Sequence, residues 1–355
     1  MPTLYEKVYG CLAASRIASA MGAAVEVWTH YKIKETYGFV DRFYPYKHYL
    51  DRGVDWERMP GTTEDGIERQ KLMCRAIIAK QDRITAADFA KTAAEVVDPE
   101  KMWFMSEPDD IKLIKYMKMG VPAVQVGSLS GWSGLNAMAR ASHPIGLINA
   151  CDPDGAFRDA ADVGRVIFNP ADIALVWAGV YDGAIAAACM PDATVDSVIT
   201  TVRRLAPDPV WGVIELGLEI VKRAPDFETA REDYQQLYNG TGILPYYISY
   251  ASETVSKAIA MFVLAKGDAN AAILYGVNMG RDTDCLGAMA GGLAGALSGI
   301  GAVPAEWVEQ VDRATFANPY TNTQCTIKEH ADGIYAAILN RAKEMRSWAA
   351  MIPEV

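Results

Sequence analysis

The sequence lacks clusters of basic residues and paired cysteines, and these absences exclude several classes of protein. Its 355 residues carry a net charge of −10. Because Lys and Arg are not clustered, we expect no binding to nucleic acid or to an anionic membrane surface. The six cysteines are scattered and include no C-x-x-C pair, which indicates reduced thiols in a cytoplasmic protein.

Histidine is scarce, and no familiar catalytic motif contains it. The four histidines are dispersed along the chain, at His30, His48, His143 and His330. Neither an H-x-x-E-H motif nor a G-x-S-x-G motif occurs, so we assign no histidine a catalytic role. The N-terminus also lacks the apolar region of a signal peptide, since Glu6 and Lys7 come early and Arg16 interrupts the apolar stretch. Export is not expected.

Long alternating runs of β-branched residues are absent, and apolar residues instead recur every three or four positions through most of the chain. This period predicts an all-α fold. The predicted helices cover residues 4–21, 66–80, 86–97, 108–119, 135–149, 171–189, 193–205, 208–223, 227–238, 251–266, 269–277, 285–300 and 327–348. No internal repeat or linker-like change in composition appears, so residues 1–355 are predicted to form a single domain.

Capping residues mark several predicted helix starts. They are Thr85 with Asp88, Asn169, Asp192 and Asp268. Three long segments between predicted helices are expected to be irregular, namely residues 29–61, 120–134 and 239–250. Segments of this length often carry function.

Small residues line one face of two predicted helices. Residues 285–303 carry no charge, and glycine recurs there at every fourth position, at Gly287, Gly291, Gly295 and Gly299. The first helix has the same spacing of small residues, at Gly10, Ala14, Ala18 and Gly22. A membrane-spanning helix can look similar, but residues 285–303 hold too few large apolar side chains for insertion. We therefore predict two core helices that pack together closely.

Two clusters of acids precede predicted helices. Thr63-Glu64-Asp65 lies before the helix at 66–80, and Asp282 and Asp284 lie before the helix at 285–300. One interpretation is that Thr63 and Asp284 are ordinary N-caps. A helix start needs only one cap, however, and neighbouring carboxylates repel each other. The additional acids therefore favour a site for a hard divalent cation such as Mg²⁺ or Mn²⁺.

Several motifs of this sequence resemble those of the ADP-ribosylglycohydrolase family. The C-terminal motifs lie at residues 253–255, 267–268, 277–284, 287–296 and 304–307, and they include the run Gly280-Arg281-Asp282-Thr283-Asp284. The N-terminal motifs lie at residues 10–26 and 63–65. The resemblance implies an all-α orthogonal helical bundle with one or two Mg²⁺ or Mn²⁺ ions. It also implies hydrolysis of an N- or O-glycosidic bond at the anomeric carbon of ADP-ribose.

The resemblance further implies roles for individual residues. The metal ligands would be Thr63, Glu64, Asp65, Asp282 and Asp284. Glu64 and Asp65 are candidate bases that accept a proton as water attacks an oxocarbenium-like centre, and Asp284 is a third catalytic candidate. The candidate substrate-binding residues are Glu26, Ser128, Ser130, Gly131, Trp132 and Asn136.

Each substrate-binding assignment has a plainer alternative. Glu26 matches the family's glutamate near the substrate entrance, but it is otherwise a surface acid. The Gly/Ser-rich segment at 127–140 resembles the family's diphosphate-binding segment, but it also fits a simple turn between two helices. Aromatic residues of the irregular segments either stack on a base or sugar or pack under the loops. They are Tyr44, Tyr46, Tyr49, Trp103, Phe104, Trp132, Tyr246, Tyr247 and Tyr250.

The sequence departs from the family pattern at Ser19, Glu64, Gly66 and Cys285, where the family commonly has Asp, Asp, Thr and Thr. A thiol is a poor ligand for a hard cation. Three functions therefore stay open: a hydrolase of ADP-ribosylated proteins or small molecules, a hydrolase of a smaller nucleoside-like or N-ribosylated metabolite, and a non-catalytic ligand-binding relative. The retained acids favour an enzyme. An oligomer is compatible with all three functions.

Overall fold

The computed structural model describes residues 1–48, 50, 53–102, 108–166, 168–242, 244 and 246–352. Within these ranges the regular structure is helical, with no β-strand. Two isolated β-bridges join Tyr46 to Arg58 and Leu135 to Tyr250. The all-α prediction is therefore confirmed.

The α-helices follow one another along the chain. They are α1 (Leu4–Gly22), α2 (His30–Tyr37), α3 (Asp65–Lys80), α4 (Ala86–Val96), α5 (Pro99–Met102), α6 (Pro108–Lys118), α7 (Ala123–Gly127), α8 (His143–Ile148), α9 (Pro153–Val163), α10 (Ile173–Ala188), α11 (Val195–Leu205), α12 (Asp208–Arg223), α13 (Phe227–Leu237), α14 (Ala251–Leu264), α15 (Ala269–Asn278), α16 (Thr283–Ser298), α17 (Ala305–Ala317) and α18 (Ile327–Ala349). Short 3₁₀ turns follow α1 at Ala23–Val25 and α16 at Ile300–Ala302.

Helices α1 and α16 pack against each other in antiparallel orientation at the centre of the fold. A Cβ atom added at Gly10 would lie 2.5 Å from the backbone carbon of Gly299, and one added at Gly291 would lie 2.9 Å from the Ala14 carbonyl oxygen. At the other end of α1, Thr283 Oγ1 donates to the Gly22 carbonyl at 2.8 Å. The predicted packing of the two small-residue faces is confirmed, and it brings the end of α1 to the start of α16.

Helix α1 and its 3₁₀ turn, Leu4–Val25, form the one described segment that is long and apolar enough to cross a membrane by length and composition. Of its apolar window, 89% is buried inside the protein. Helices α15, α16 and α18 pack against it. These contacts identify α1 as a core helix.

The prediction of one helix over 135–149 is wrong. Residues 135–142 form turns and bends, and only α8 is helical. The backbone N–H of Asn136 donates to the Ser249 carbonyl at 2.8 Å, and the Asn136 side chain is buried against other helices. Long-range hydrogen bonds therefore override the local helical period.

Two predicted caps are also wrong. The N-cap of α10 is Asp172 rather than Asn169, and the N-cap of α11 is Thr194 rather than Asp192. The Asn169 side chain instead donates to the carbonyl of Trp132 at 2.6 Å and accepts from the N–H of Met138 at 3.2 Å. It thereby fixes the turn segment that follows α7. Thr85 and Asp268 are confirmed as N-caps.

Candidate active site

The two acidic clusters lie at the N-termini of α3 and α16. Glu64 is the N-cap of α3 and Asp282 is the N-cap of α16, and neither side chain makes a capping hydrogen bond. The interpretation of Thr63 and Asp284 as the caps is therefore wrong, because Thr63 lies one residue before the N-cap of α3 and Asp284 lies within the first turn of α16. The acids of both clusters are buried, so their carboxylates need another source of stabilisation.

A left-handed turn sets the start of α16. Gly280 and Arg281 have φ values of 77° and 69°, and a side chain at Gly280 would clash with the backbone of His30. The N–H of Arg281 donates to the Trp28 carbonyl at 2.7 Å, and the N–H of Val27 donates to the Arg281 carbonyl at 2.8 Å. This turn places Asp282 beside the segment that contains Glu26.

The α16 cluster, Asp282 and Asp284, has two carboxylate oxygens that accept no hydrogen bond from the described residues. Asp282 Oδ2 accepts from Asn136 Nδ2 at 2.9 Å, and Asp284 Oδ2 accepts from Cys285 Sγ at 3.4 Å. The Oδ1 atoms of both aspartates are buried without a hydrogen-bond partner among the described residues. Ligand atoms of Asp282, Asp284 and Cys285 lie within 4.8 Å of one another, so these residues are able to hold a metal ion.

Electrostatics in the α16 cluster favour a bound cation. Burial, followed by the charge of Asp282, raises the pKa of the Asp284 carboxyl well above its usual range. Burial and the two aspartates also raise the pKa of the Cys285 thiol. A divalent ion would offset the repulsion that causes the shift in Asp284.

Glu64 is held by three side chains from the segment after α2. Its Oε1 accepts from Tyr46 Oη at 2.6 Å and lies 3.4 Å from Arg58 Nε, and its Oε2 lies 3.3 Å from His48 Nδ1. Burial alone raises the pKa of Glu64, but His48, Arg58 and Tyr46 outweigh that effect and lower it below its usual value. Glu64 is therefore ionised at neutral pH. On its backbone side, its N–H donates to Ser19 Oγ at 3.4 Å.

Asp65 is paired with two arginines. Its Oδ2 accepts from Arg140 Nη2 at 2.7 Å and lies 2.9 Å from Arg69 Nη1. Burial opposes ionisation, but the two guanidinium groups overcome it and lower the pKa of Asp65. Arg69 is itself anchored by Asp110, which also accepts from Trp132 Nε1 at 3.1 Å. The acids of the α3 cluster thus form ion pairs with arginines, whereas Asp282 and Asp284 form no ion pair among the described residues.

Glu26 joins the clusters at a cavity of about 220 Å³. Its Oε2 lies 3.3 Å from His48 Nε2, so the imidazole ring connects Glu26 to Glu64. Burial, followed by the charges of Asp284 and Asp282, raises the pKa of Glu26 well above its usual range. The cavity is lined by the acids Glu26, Glu64 and Asp65, together with Val27, His48, Trp132, Leu135, Asn136, Ala137, Arg140, Tyr247, Ile248 and Ser249.

Comparison with known proteins identifies the family of the chain. The family model for ADP-ribosylglycohydrolase matches residues 1–344. The chain belongs to the ADP-ribosylglycohydrolase family. Membership supports a glycohydrolase function, and the family generally depends on metal ions and acts on ADP-ribosylated substrates.

Relatives of this ADP-ribosylglycohydrolase family member are distant in sequence. The uncharacterized protein YegU of Escherichia coli strain K12 is 27% identical over 319 residues, which cover 84% of this chain and 89% of YegU. The ADP-ribosyl-[dinitrogen reductase] glycohydrolase of Rhodospirillum rubrum is 23% identical over 320 residues, or 88% of this chain and 92% of that protein. A solved ADP-ribosylglycohydrolase-related protein complex has a TM-score of 0.60 and 16% identity, and the match covers 96% of this chain and 99% of that one. The last comparison shows a shared fold.

The residues proposed from the family's Gly/Ser-rich segment fall into two groups. Trp132 and Asn136 line the cavity. Ser128 and Ser130 do not line it, and their hydroxyls donate to the carbonyls of Gln125 at 2.7 Å and Phe168 at 3.4 Å. Gly131 is exposed next to them. The structure thus brings two of these five residues to the cavity and leaves the other three outside it.

The aromatic candidates are also divided. Trp132 and Tyr247 line the cavity, whereas Tyr44 stacks on Tyr37 and Tyr246 lies under the Arg281 guanidinium at 4.1 Å. Tyr250 forms the bridge to Leu135. Tyr49, Trp103 and Phe104 lie outside the described residues.

Sequence reasoning missed the cationic side chains that contact the acids, and two of them, His48 and Arg140, line the cavity. No histidine received a role, although His48 lies between Glu26 and Glu64. Arg140 is the last residue of the Gly/Ser-rich segment at 127–140 and received no role of its own, although it contacts Asp65. The signal that could have identified both is the surplus of acids itself, because buried carboxylates need nearby positive charge.

Proposed function

We propose that this protein is a metal-dependent hydrolase that cleaves a ribosyl N- or O-glycosidic bond, with ADP-ribose on a protein or small molecule as its substrate. The observation that carries the proposal is the convergence of five acids from three distant parts of the chain. Glu26, Glu64 and Asp65 line one cavity. Asn136, which also lines it, donates to Asp282, and Asp284 lies beside Asp282. A merely structural protein has no need for such mutual repulsion.

The donor set fits a hard divalent cation. Asp282 Oδ1 and Asp284 Oδ1 are buried and unpartnered among the described residues, and carboxylate oxygens are preferred ligands of Mg²⁺ and Mn²⁺. Asp282 and Asp284 would hold the ion, with the buried Thr63, Glu64 and Asp65 on the α3 side. When bound, a divalent ion would coordinate the ribose hydroxyls and lower the pKa of a bound water.

The cavity-lining acids supply the proton acceptor. The depressed pKa values of Glu64 and Asp65 keep both side chains ionised at neutral pH. An ionised carboxylate at the cavity wall accepts a proton as water attacks the anomeric carbon. Glu26 is the third acid of the wall and shares His48 with Glu64. Trp132, which Asp110 holds through its indole N–H, offers a fixed aromatic face to a sugar or base.

Two observations favour a second candidate, a hydrolase of a smaller nucleoside-like or N-ribosylated metabolite. The cavity of about 220 Å³ is smaller than the roughly 300–1,000 Å³ typical of sites for drug-sized ligands. The hydroxyls of Ser128 and Ser130 are also engaged by their own neighbouring carbonyls rather than facing the cavity. A ribosyl group with a small leaving group suits this enclosure better than a fully enclosed diphosphate.

The test combines metal binding with turnover. Mn²⁺ is expected to raise the melting temperature relative to EDTA, because an ion that binds only the folded state stabilises it by mass action. Asp284→Asn should abolish this shift, while Asp208→Asn, a change at an exposed aspartate of α12, should keep it. Chromatography of ADP-ribosyl-arginine, ADP-ribosyl-serine and a simple N-riboside with metal present then identifies the bond that is cleaved.

The outcomes separate the candidates. Release of ADP-ribose supports the first, and cleavage of the riboside alone supports the second. Absence of both turnover and a metal-dependent melting shift would contradict the hydrolase proposal.

A further inference from the structure

The Arg140 side chain spans the space between the two acidic clusters. Its Nη2 donates to Asp65 Oδ2 at 2.7 Å, and its Nη1 lies 3.4 Å from Cys285 Sγ on the first turn of α16. The side chain is only 13% exposed. Because a guanidinium group is charged at every accessible pH, a permanent positive charge lies between the acids of α3 and those of α16.

A glycine next to Arg140 leaves space for its side chain. A Cβ atom at Gly66 would lie 3.1 Å from Arg140 Cδ and 3.3 Å from Arg140 Cγ, closer than ordinary van der Waals contact. Gly66 thus leaves room for the aliphatic part of the side chain. At the other end, Cys285 offers the guanidinium a thiol, which is a soft group that competes poorly for a hard cation.

The two clusters differ in how their charge is balanced. On the α3 side, Asp65 is neutralised by Arg140 and Arg69, and Glu64 is contacted by His48 and Arg58. On the α16 side, the free Oδ1 atoms of the two aspartates have no partner among the described residues. The need for an added cation is therefore confined to the α16 side.

We propose that the Arg140 guanidinium takes the place of a second divalent ion, so that the chain binds one ion, at Asp282 and Asp284. This inference rests on the proposed function, in which the acids form a metal centre. The expected stoichiometry is therefore one divalent ion per chain. The inference also assigns Arg140 a positioning role, since its charge orients Asp65 and excludes a further cation from the space that it fills.

The experiment measures the number of ions per chain. Titration calorimetry and elemental analysis after dialysis against Mn²⁺ are expected to give one equivalent for the wild-type protein. Arg140→Met keeps a long side chain and removes the charge, so it is expected to increase the count from one to two equivalents. Arg204→Gln, at an exposed arginine paired with Asp154 on the surface, should keep a count of one.

Electron paramagnetic resonance of the wild-type protein with Mn²⁺ gives a readout that does not depend on a variant folding. The inference requires the spectrum of isolated Mn²⁺ ions, and the spectrum of an exchange-coupled pair would overturn it.

Failure of the inference and failure of the proposed function give different results. Two ions in the wild-type protein would overturn the inference and leave the metal-dependent hydrolase intact. One ion in both the wild-type protein and folded Arg140→Met would show that Arg140 does not set the count. No bound ion in the wild-type protein would overturn the inference together with the metal-dependent function on which it rests.

Discussion

Asn136 connects the cavity wall to the carboxylates beneath it. Its Nδ2 donates to Asp282 Oδ2 at 2.9 Å and to Thr254 Oγ1 at 3.2 Å, so the other oxygen of Asp282 stays available for a metal ion. Groups that orient a ligand in this way typically contribute a factor of about 10–100 to metal affinity. Asn136→Leu is therefore expected to weaken Mn²⁺ binding by about that factor, as measured by titration calorimetry.

Thr254→Val is the matched control for Asn136. It removes the second partner of the same amide without changing the hydrogen bond to Asp282, so its effect on Mn²⁺ affinity should be the smaller of the two. Equal affinities for Asn136→Leu and the wild-type protein would show that the amide does not hold Asp282 for the ion.

Asp182 is a buried carboxyl remote from the site, on α10. Its Oδ1 accepts from Ser142 Oγ at 2.7 Å, and its Oδ2 has no partner among the described residues. Burial raises its pKa well above the ordinary value of 3.8. Because the folded protein binds this proton more tightly than the unfolded chain, the group stabilises the fold fully below the ordinary pKa. That stability is lost as the pH rises through the raised pKa.

Asp182→Asn mimics the protonated carboxyl at every pH. Relative to the wild-type protein, its free energy of unfolding should rise with pH by about 1.4 kcal/mol per pH unit within the window between the two pKa values. Urea denaturation in EDTA at several pH values measures this difference without a contribution from bound metal. Asp208→Asn should show no such trend, and parallel curves for Asp182→Asn and the wild-type protein would contradict the assignment of a raised pKa.

Residue types alone predicted the acids of the candidate site but not their partners. Asp282 and Asp284 stand out because a helix start needs only one capping residue and the second carboxylate needs another explanation. His48 lies in a segment with no helical or strand period, so nothing local indicates that it reaches Glu26 and Glu64. The contact of Arg140 with Asp65 joins residues far apart in sequence, and such pairs follow only from the packed fold.

At the scale of elements, the contact between α1 and α16 depends on the absence of side chains. A Cβ atom at Gly295 would overlap the Gly10 carbonyl oxygen, and rigid backbone cannot move away as a flexible side chain can. Gly295→Ala is expected to lower the free energy of unfolding by about 1–3 kcal/mol or more, as is typical of overpacking. Urea denaturation measures the loss.

Gly212→Ala provides the opposite case within a helix. Gly212 lies on the exposed face of α12, and a Cβ atom there would meet no atom within 4 Å. Its replacement should stabilise the protein by about 0.5–1 kcal/mol, because alanine loses less conformational entropy than glycine. Equal responses at Gly295 and Gly212 would contradict the close-packing explanation.

The helices that sequence reasoning missed are mostly short or polar. Helices α2 and α7 lie inside segments predicted to be irregular, and α5, α9 and α17 lie outside every predicted helix. A signal for α9 was present, since Asp152 caps it and Pro153 opens it. Helices α1 and α16 were predicted to within one and two residues at each end, because their period extends over several turns.

At the scale of the whole molecule, the candidate site is formed by segments that are far apart in the sequence. The end of α1 and the start of α16 meet because their small-residue faces pack together. The turn segment around Asn136 joins them through its hydrogen bond to Asp282. A larger cavity of about 820 Å³ between α11, α12, α13 and α14 shares no lining residue with the site. The assignment of residues 1–355 to a single domain stays a prediction.

This convergence predicts how Mn²⁺ changes backbone hydrogen exchange across the protein. The amides of Val27, Arg281 and Asn136 hydrogen-bond between segments far apart in sequence, and any opening that separates these segments must release an ion held at Asp282. Exchange at these amides should therefore slow with Mn²⁺, while α11, α12 and α13 at the larger cavity should exchange as before. Mass spectrometry measures both regions, and Asp284→Asn should remove the effect. Slowing confined to residues 281–285 would mean that the ion stabilises only the start of α16 and does not couple the three parts of the chain.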